Sequence, residues 1–110
     1  MVVDKGDNPL NFVDPSGTAM FVYSIQRGVE LGLLKAKEYT PVAYRGYQSL
    51  FPFIQVNDRG LLDVIGACDG VVIKKNFVEY VTVPKILNAK EAVAGILWAA
   101  VIMETGQLKK

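Results

Sequence analysis

With 110 residues, the chain has room for one small domain and no more. Its 12 basic and 11 acidic residues leave a net charge of +1, which offers no basic face to nucleic acid. Histidine is absent, which removes Ser-His triads, histidine acid/base chemistry and most zinc sites. The chain is 51% apolar with a mean hydropathy of +0.25, which implies a tightly packed core or surfaces meant for a partner. Cys68 stands alone, so no intrachain disulfide can form. The opening Met1–Asp7 stretch turns polar too early for a signal peptide, which leaves cytoplasm and periplasm both open for an intact protein. The longest apolar run, Ala92 to Met103, is too short to cross a bilayer, so no membrane is expected.

Along the chain, the first 15 residues read as loop. Lys5-Gly6-Asp7-Asn8-Pro9 and Asp14-Pro15-Ser16-Gly17 are turn formers, with Leu10, Phe12 and Val13 expected to tuck inward. From Thr18 to Leu31 the spacing of Phe21, Ile25 and Val29 predicts a helix, capped by Asp14 or Ser16 and stopped at Gly32. Thr40-Pro41 opens a second predicted helix, with Ala43, Tyr47 and Leu50 as its buried stripe and Pro52 as its end. Residues 53–64 read as a hairpin around Asn57-Asp58-Arg59-Gly60. A long connection follows from Ile65 to Leu87, β-leaning at Val71–Ile73 and Phe77–Val83. Asn88 and Glu91 have the spacing of a capping box ahead of the last helix, which is apolar all round and ends at Gly106. A helix of that kind belongs inside a larger structure.

Three acidic residues stand beside turn formers, Asp14, Asp69 and Glu79. They read either as a carboxylate pair for glycoside chemistry or as turn and cap residues, and the second reading is the commoner one. Ser16-Gly17-Thr18 presents backbone amides at a helix start, which suits an anion or simply an ordinary cap. Cys68 has no histidine to activate it, so it is expected as a small buried or pocket-lining thiol. Trp98 and Met103, on the apolar helix, are expected in the core. Lys74-Lys75 reads as solvated loop.

Several stretches, in order, are similar to one family. Val3-Asp4-Lys5-Gly6-Asp7, then Asn11-Phe12-Val13-Asp14-Pro15-Ser16-Gly17-Thr18-Ala19-Met20-Phe21, resembles the loop-to-helix segment of glycoside hydrolase family 105, related to family 88. Gly66-Ala67-Cys68-Asp69-Gly70, the Tyr80-x-x-x-Pro84-Lys85 spacing and Asn88-Ala89-Lys90-Glu91-Ala92-Val93 resemble its carboxy-terminal pattern. Asp14-Pro15 departs from it, standing where an acidic residue followed by a small hydroxyl residue is usual.

The resemblance implies a mainly α fold, part of an (α/α)6 six-hairpin barrel with a small β-hairpin in a long loop. It implies that residues 1–110 are a carboxy-terminal portion of a single barrel domain, without the family's catalytic aspartate. Family members are unsaturated rhamnogalacturonyl hydrolases of pectin degradation. Their substrate is an oligosaccharide ending in a 4,5-unsaturated uronic acid. An aspartic acid protonates the enol-ether double bond, water adds at the adjacent carbon, and the resulting hemiketal opens to release the sugar. No metal or organic cofactor takes part. In such barrels the loops entering inner helices surround the substrate, which makes Asp14, Ser16, Gly17, Thr18 and Cys68 the expected substrate-binding residues. Two rival readings remain. One is a stand-alone helical module that self-associates through apolar helices; the other is a small independent enzyme using Asp14 and Asp69.

Overall fold

A computed structural model describes residues 7–9, 12–68 and 74–108. Helix α1 spans Pro15–Glu30 and α2 spans Ala36–Ser49. A short 3-10 turn, Phe51–Phe53, leads into strands β1 (Ile54–Val56) and β2 (Leu62–Val64). Strand β3 (Ala67–Cys68), the one-turn helix α3 (Phe77–Val81) and β4 (Lys85–Ile86) follow, and α4 (Lys90–Leu108) closes the chain. The strands form two antiparallel pairs, β1 with β2 and β3 with β4, the latter in register Ala67↔Ile86 and Cys68↔Lys85.

The core lies where α1 meets its two neighbours. Ala19, Ala43, Leu50, Ala92 and Ala99 are fully buried, with Val22, Tyr47, Ile96, Ile102 and Met103 around them. Small residues let the helices approach closely. A Cβ on Gly46 would lie 2.7 Å from Val22, and one on Gly95 would lie 3.2 Å from the Ala19 Cβ. Ala19 therefore faces Gly95, and further along Tyr23 meets Trp98 edge to face at 4.9 Å. Both pairings ascend together, so α1 and α4 run in the same direction. The short link through Gly32, at φ +77°, instead turns α2 back against α1, with Leu34 under Gly28 and Gly46 under Val22. Leu50, wholly buried at the end of α2, contributes about 2 kcal/mol by leaving water.

Several expectations change. Helix α1 begins at Pro15, one turn before Thr18, because proline fits the first helical position. Its buried stripe is Ala19 and Val22 rather than Phe21, which is 57% exposed. Val13 also faces outward. Helix α2 begins at Ala36, so Pro41 lies inside it and not at its start. The missing proline amide leaves the Lys37 carbonyl without its helical donor, on a turn exposed to water. Phe77–Val81 is helical rather than extended, since the Asn76 side chain accepts from the Glu79 N–H and caps a turn. Helix α4 runs through Gly106, where a stop was expected. Met103 is buried as expected, but Trp98 is 59% exposed. The β-leaning stretch Val71–Ile73 and Asp69 lie outside the described residues.

The capping box at α4 does not form. The Val93 N–H donates to the Ala89 carbonyl at 3.0 Å, which puts Ala89, without a side-chain acceptor, at the N-cap. Asn88, at φ 55°, is turned toward the hairpin instead. Its Oδ1 accepts from the Val64 N–H at 2.7 Å, its Nδ2 donates to Asp63 at 3.0 Å, and its own N–H donates to the Val64 carbonyl at 2.8 Å.

Candidate functional site

The entrance of α1 is organised by one carboxylate. Asp14 has an extended backbone at the N-cap and is only 8% exposed. Its Oδ1 accepts from the Ser16 N–H at 2.8 Å and from the Ser16 hydroxyl at 2.6 Å. Its Oδ2 reaches across the chain to accept from the Cys68 N–H at 3.2 Å. The Thr18 amide and hydroxyl both donate to the Asp14 carbonyl, each at 3.2 Å. Asp14, Ser16, Thr18 and Cys68 are thus joined by hydrogen bonds, and Gly17 sits half-buried in the same turn. Residues 54 positions apart in the chain meet at one rim because β3 pairs with β4 just ahead of the α4 entrance.

The electrostatics of this node separate acceptor from acid. Burial pushes the Asp14 carboxyl upward, but the hydrogen bonds from Ser16 and Cys68 outweigh it and hold the group below the usual aspartate value. Asp14 is therefore an ionised acceptor at neutral pH, the opposite of what a general acid needs. The Cys68 thiol is pushed up by burial, then by its hydrogen bond to Asp14 and by the Asp14 charge. It stays protonated and buried, as expected for a packing thiol rather than a nucleophile.

Lys85 was not singled out for its charge, although it belongs to the quoted Tyr80-x-x-x-Pro84-Lys85 spacing. It is the register partner of Cys68, and its Nζ lies 4.1 Å from the centre of the Phe12 ring. Only the β3–β4 pairing, which spans the long connection, brings this cation beside the rim. Glu79 lies elsewhere, in α3, where it accepts from the Lys75 N–H at 2.9 Å. No group of three or more metal-ligating side chains occurs among the described residues.

Comparison with known proteins agrees with this architecture. No curated protein matches the sequence. A solved glycoside hydrolase from family 105 of C. acetobutylicum ATCC 824 superposes with a TM-score of 0.85 at 27% identity, over 94% of this chain. The match spans 31% of that enzyme's length. The fold is accordingly a mainly helical part of an (α/α)6 barrel with small strand pairs in its loops. The family model for Glycosyl Hydrolase Family 88 matches residues 1–106, and the chain belongs to that family.

Proposed function

We propose that this chain supplies a substrate-facing rim of a hydrolase for oligosaccharides ending in an unsaturated uronic acid, and that it is inactive alone. The carrying observation is the Asp14 node, which ties the start of α1 to Cys68. Asp14, Ser16, Gly17, Thr18 and Cys68 shape the rim; the Thr18 hydroxyl, whose proton goes to the Asp14 carbonyl, offers an acceptor for a sugar hydroxyl, and the Lys85 ammonium stands beside it as a donor for sugar oxygens. A uronate brings a carboxylate, for which a cation beside a helix N-terminus is the natural complement. The proton that breaks the enol ether comes from a carboxyl outside this chain's rim, since Asp14 is held ionised by its donors. The residues of the rim then orient sugar, and water adds at the carbon beside the one protonated.

Two measurements test this reading. Incubated with an unsaturated galacturonyl disaccharide, the purified chain should leave the absorbance of the double bond falling no faster than in buffer. Faster loss in a contaminant-free preparation would overturn the claim of inactivity. In a complete family enzyme carrying this segment, Thr18→Val should raise the Michaelis constant with the fold intact. An unchanged constant reduces the Ser-Gly-Thr turn to a helix cap.

A second reading, a self-associating helical module, draws on the exposed apolar side chains Phe21, Leu97, Trp98 and Val101. Concentration-dependent sedimentation of the chain favours that reading; a monomer at all concentrations removes it.

A further inference from the structure

Lys85 is held at the rim by contacts that leave its charge uncompensated. On β4 it is the register partner of Cys68, the residue whose N–H donates to the Asp14 carboxylate. Its Nζ lies 4.1 Å from the centre of the half-buried Phe12 ring, within reach of the negative ring face. An ammonium carries three donors, and a ring face covers one side of it only. Among the described residues the ion pair is Arg27 with Glu30, so no carboxylate there pairs with Lys85. The rim's own carboxylate, Asp14, already accepts twice from Ser16 and once from Cys68. Being buried and ionised, Asp14 repels any second carboxylate that arrives beside it. Lys85 is the cation placed to offset that repulsion. Burial pushes the Cys68 thiol up, and the Lys85 charge is among the effects pulling it back, so the ammonium does act on this rim.

We infer that Lys85 reads the charge of the terminal uronate, so that the rim accepts the free carboxylate and turns away its methyl ester. The inference rests on the proposed uronate substrate. An ester keeps a carbonyl acceptor but carries no charge, so it gives Lys85 an ordinary hydrogen bond in place of a charge-assisted one. Without Lys85 the preference disappears or reverses, because ionised Asp14 disfavours the acid and leaves the ester untouched. A place in a reaction sequence follows. Where the uronate begins as its methyl ester, water must first displace the methoxy group, releasing methanol and a proton and leaving the carboxylate that Lys85 receives. The reaction that supplies this rim is therefore an ester hydrolysis.

The test uses the intact hydrolase carrying this segment, with an unsaturated galacturonyl disaccharide as free acid and as methyl ester. Loss of the double-bond absorbance gives kcat and KM for each. The acid should have a KM about fivefold lower than the ester, the upper end for an exposed ion pair, with kcat within about twofold. Added salt should raise the KM of the acid and leave that of the ester unchanged. Lys85→Met keeps an apolar stem over Phe12 and deletes the charge, so the two substrates should become equal or the ester better. Lys85→Arg should retain the preference for the acid. Far-UV circular dichroism checks that each variant keeps its fold. Equal use of acid and ester by the unaltered enzyme overturns the inference and leaves the uronate substrate standing. So does a preference that survives in Lys85→Met, which places the reader of the charge elsewhere. Turnover of neither form overturns the uronate substrate itself, and the inference with it.

Discussion

Helices α1 and α4 run side by side in one direction, yet they are entered differently. At α1 the cap is local. Asp14 binds its own first turn through Ser16 and uses its second oxygen to hold Cys68. At α4 the polar residue in the corresponding place looks away from its helix. Asn88 spends its side chain on Val64 and Asp63, Ala89 stands at the N-cap, and one buried Glu91 oxygen meets no donor among the described residues. The α1 entrance therefore carries its own side-chain cap and one tie to β3 through the Cys68 amide. The α4 entrance is anchored from outside by the hairpin.

The largest expected effect tests the α1 entrance. Asp14→Ala removes three accepted hydrogen bonds and strands the Cys68 N–H, which should cost about 3 kcal/mol in urea unfolding. A loss below about 1 kcal/mol would mean that the node is not what fixes the rim. The same carboxylate predicts a pH dependence. Its folded value lies below the usual 3.8, so its contribution is complete above that value and is lost as pH falls through the folded value. Asp14→Asn should flatten the acid limb of the stability profile.

Asn88 gives the sharpest contrast. A helix cap would accept Asp in place of Asn at little cost. Here Asn88→Asp loses the donor to Asp63 and sets two carboxylates together, so it should destabilise by about 2 kcal/mol at neutral pH. Asn88→Gly should be milder than Asn88→Ala by about 1 kcal/mol, because glycine relieves the left-handed backbone. An unperturbed melting temperature for Asn88→Asp would restore the cap.

Along the body of α1, its two seams differ in tightness. Gly46→Ala forces a Cβ to 2.7 Å from buried Val22 and should cost about 1–2 kcal/mol in spite of the better helix propensity. Gly95→Ala meets Ala19 at 3.2 Å, and crowding and propensity should nearly cancel, within about 0.5 kcal/mol. Equal losses at both positions would erase the distinction between the α2 and α4 seams.

A further contact lies elsewhere in the core, where the Tyr47 hydroxyl donates to Glu104 at 2.8 Å and ties α2 to α4. Burial first, then the hydrogen bond and the charge of Glu104, push the phenol up to about 12. A raised folded value means a contribution that is complete below pH 10 and lost as pH rises toward 12. Tyr47→Phe should cost about 1 kcal/mol at neutral pH and remove that alkaline limb. Ultraviolet titration of the phenols reads the shift directly.

What was legible in the sequence was what depends on near neighbours. The periodicity of α2 placed Ala43, Tyr47 and Leu50 inside, the Asn57–Gly60 turn placed the hairpin, and the α1 cap was narrowed to Asp14 or Ser16, of which Asp14 is the cap. The ordered motifs also carried the family and with it the barrel fold. Each of these follows from bonds within about four residues or from a pattern shared along the chain.

Tertiary structure decided the rest wherever a group had two possible partners. Asn88 had a local helix end and a distant Val64 amide, and the strand amide won because β2 ends against the α4 entrance. Trp98 sits on a helix with no polar face, so its spacing could not say which side would be covered. The Cys68 amide had to wait for β3 to pair with β4 before it could meet Asp14. Sequence spacing states which groups need partners. Which partner each obtains is settled by contacts between residues far apart in the chain, because only the packed structure brings those within hydrogen-bond range.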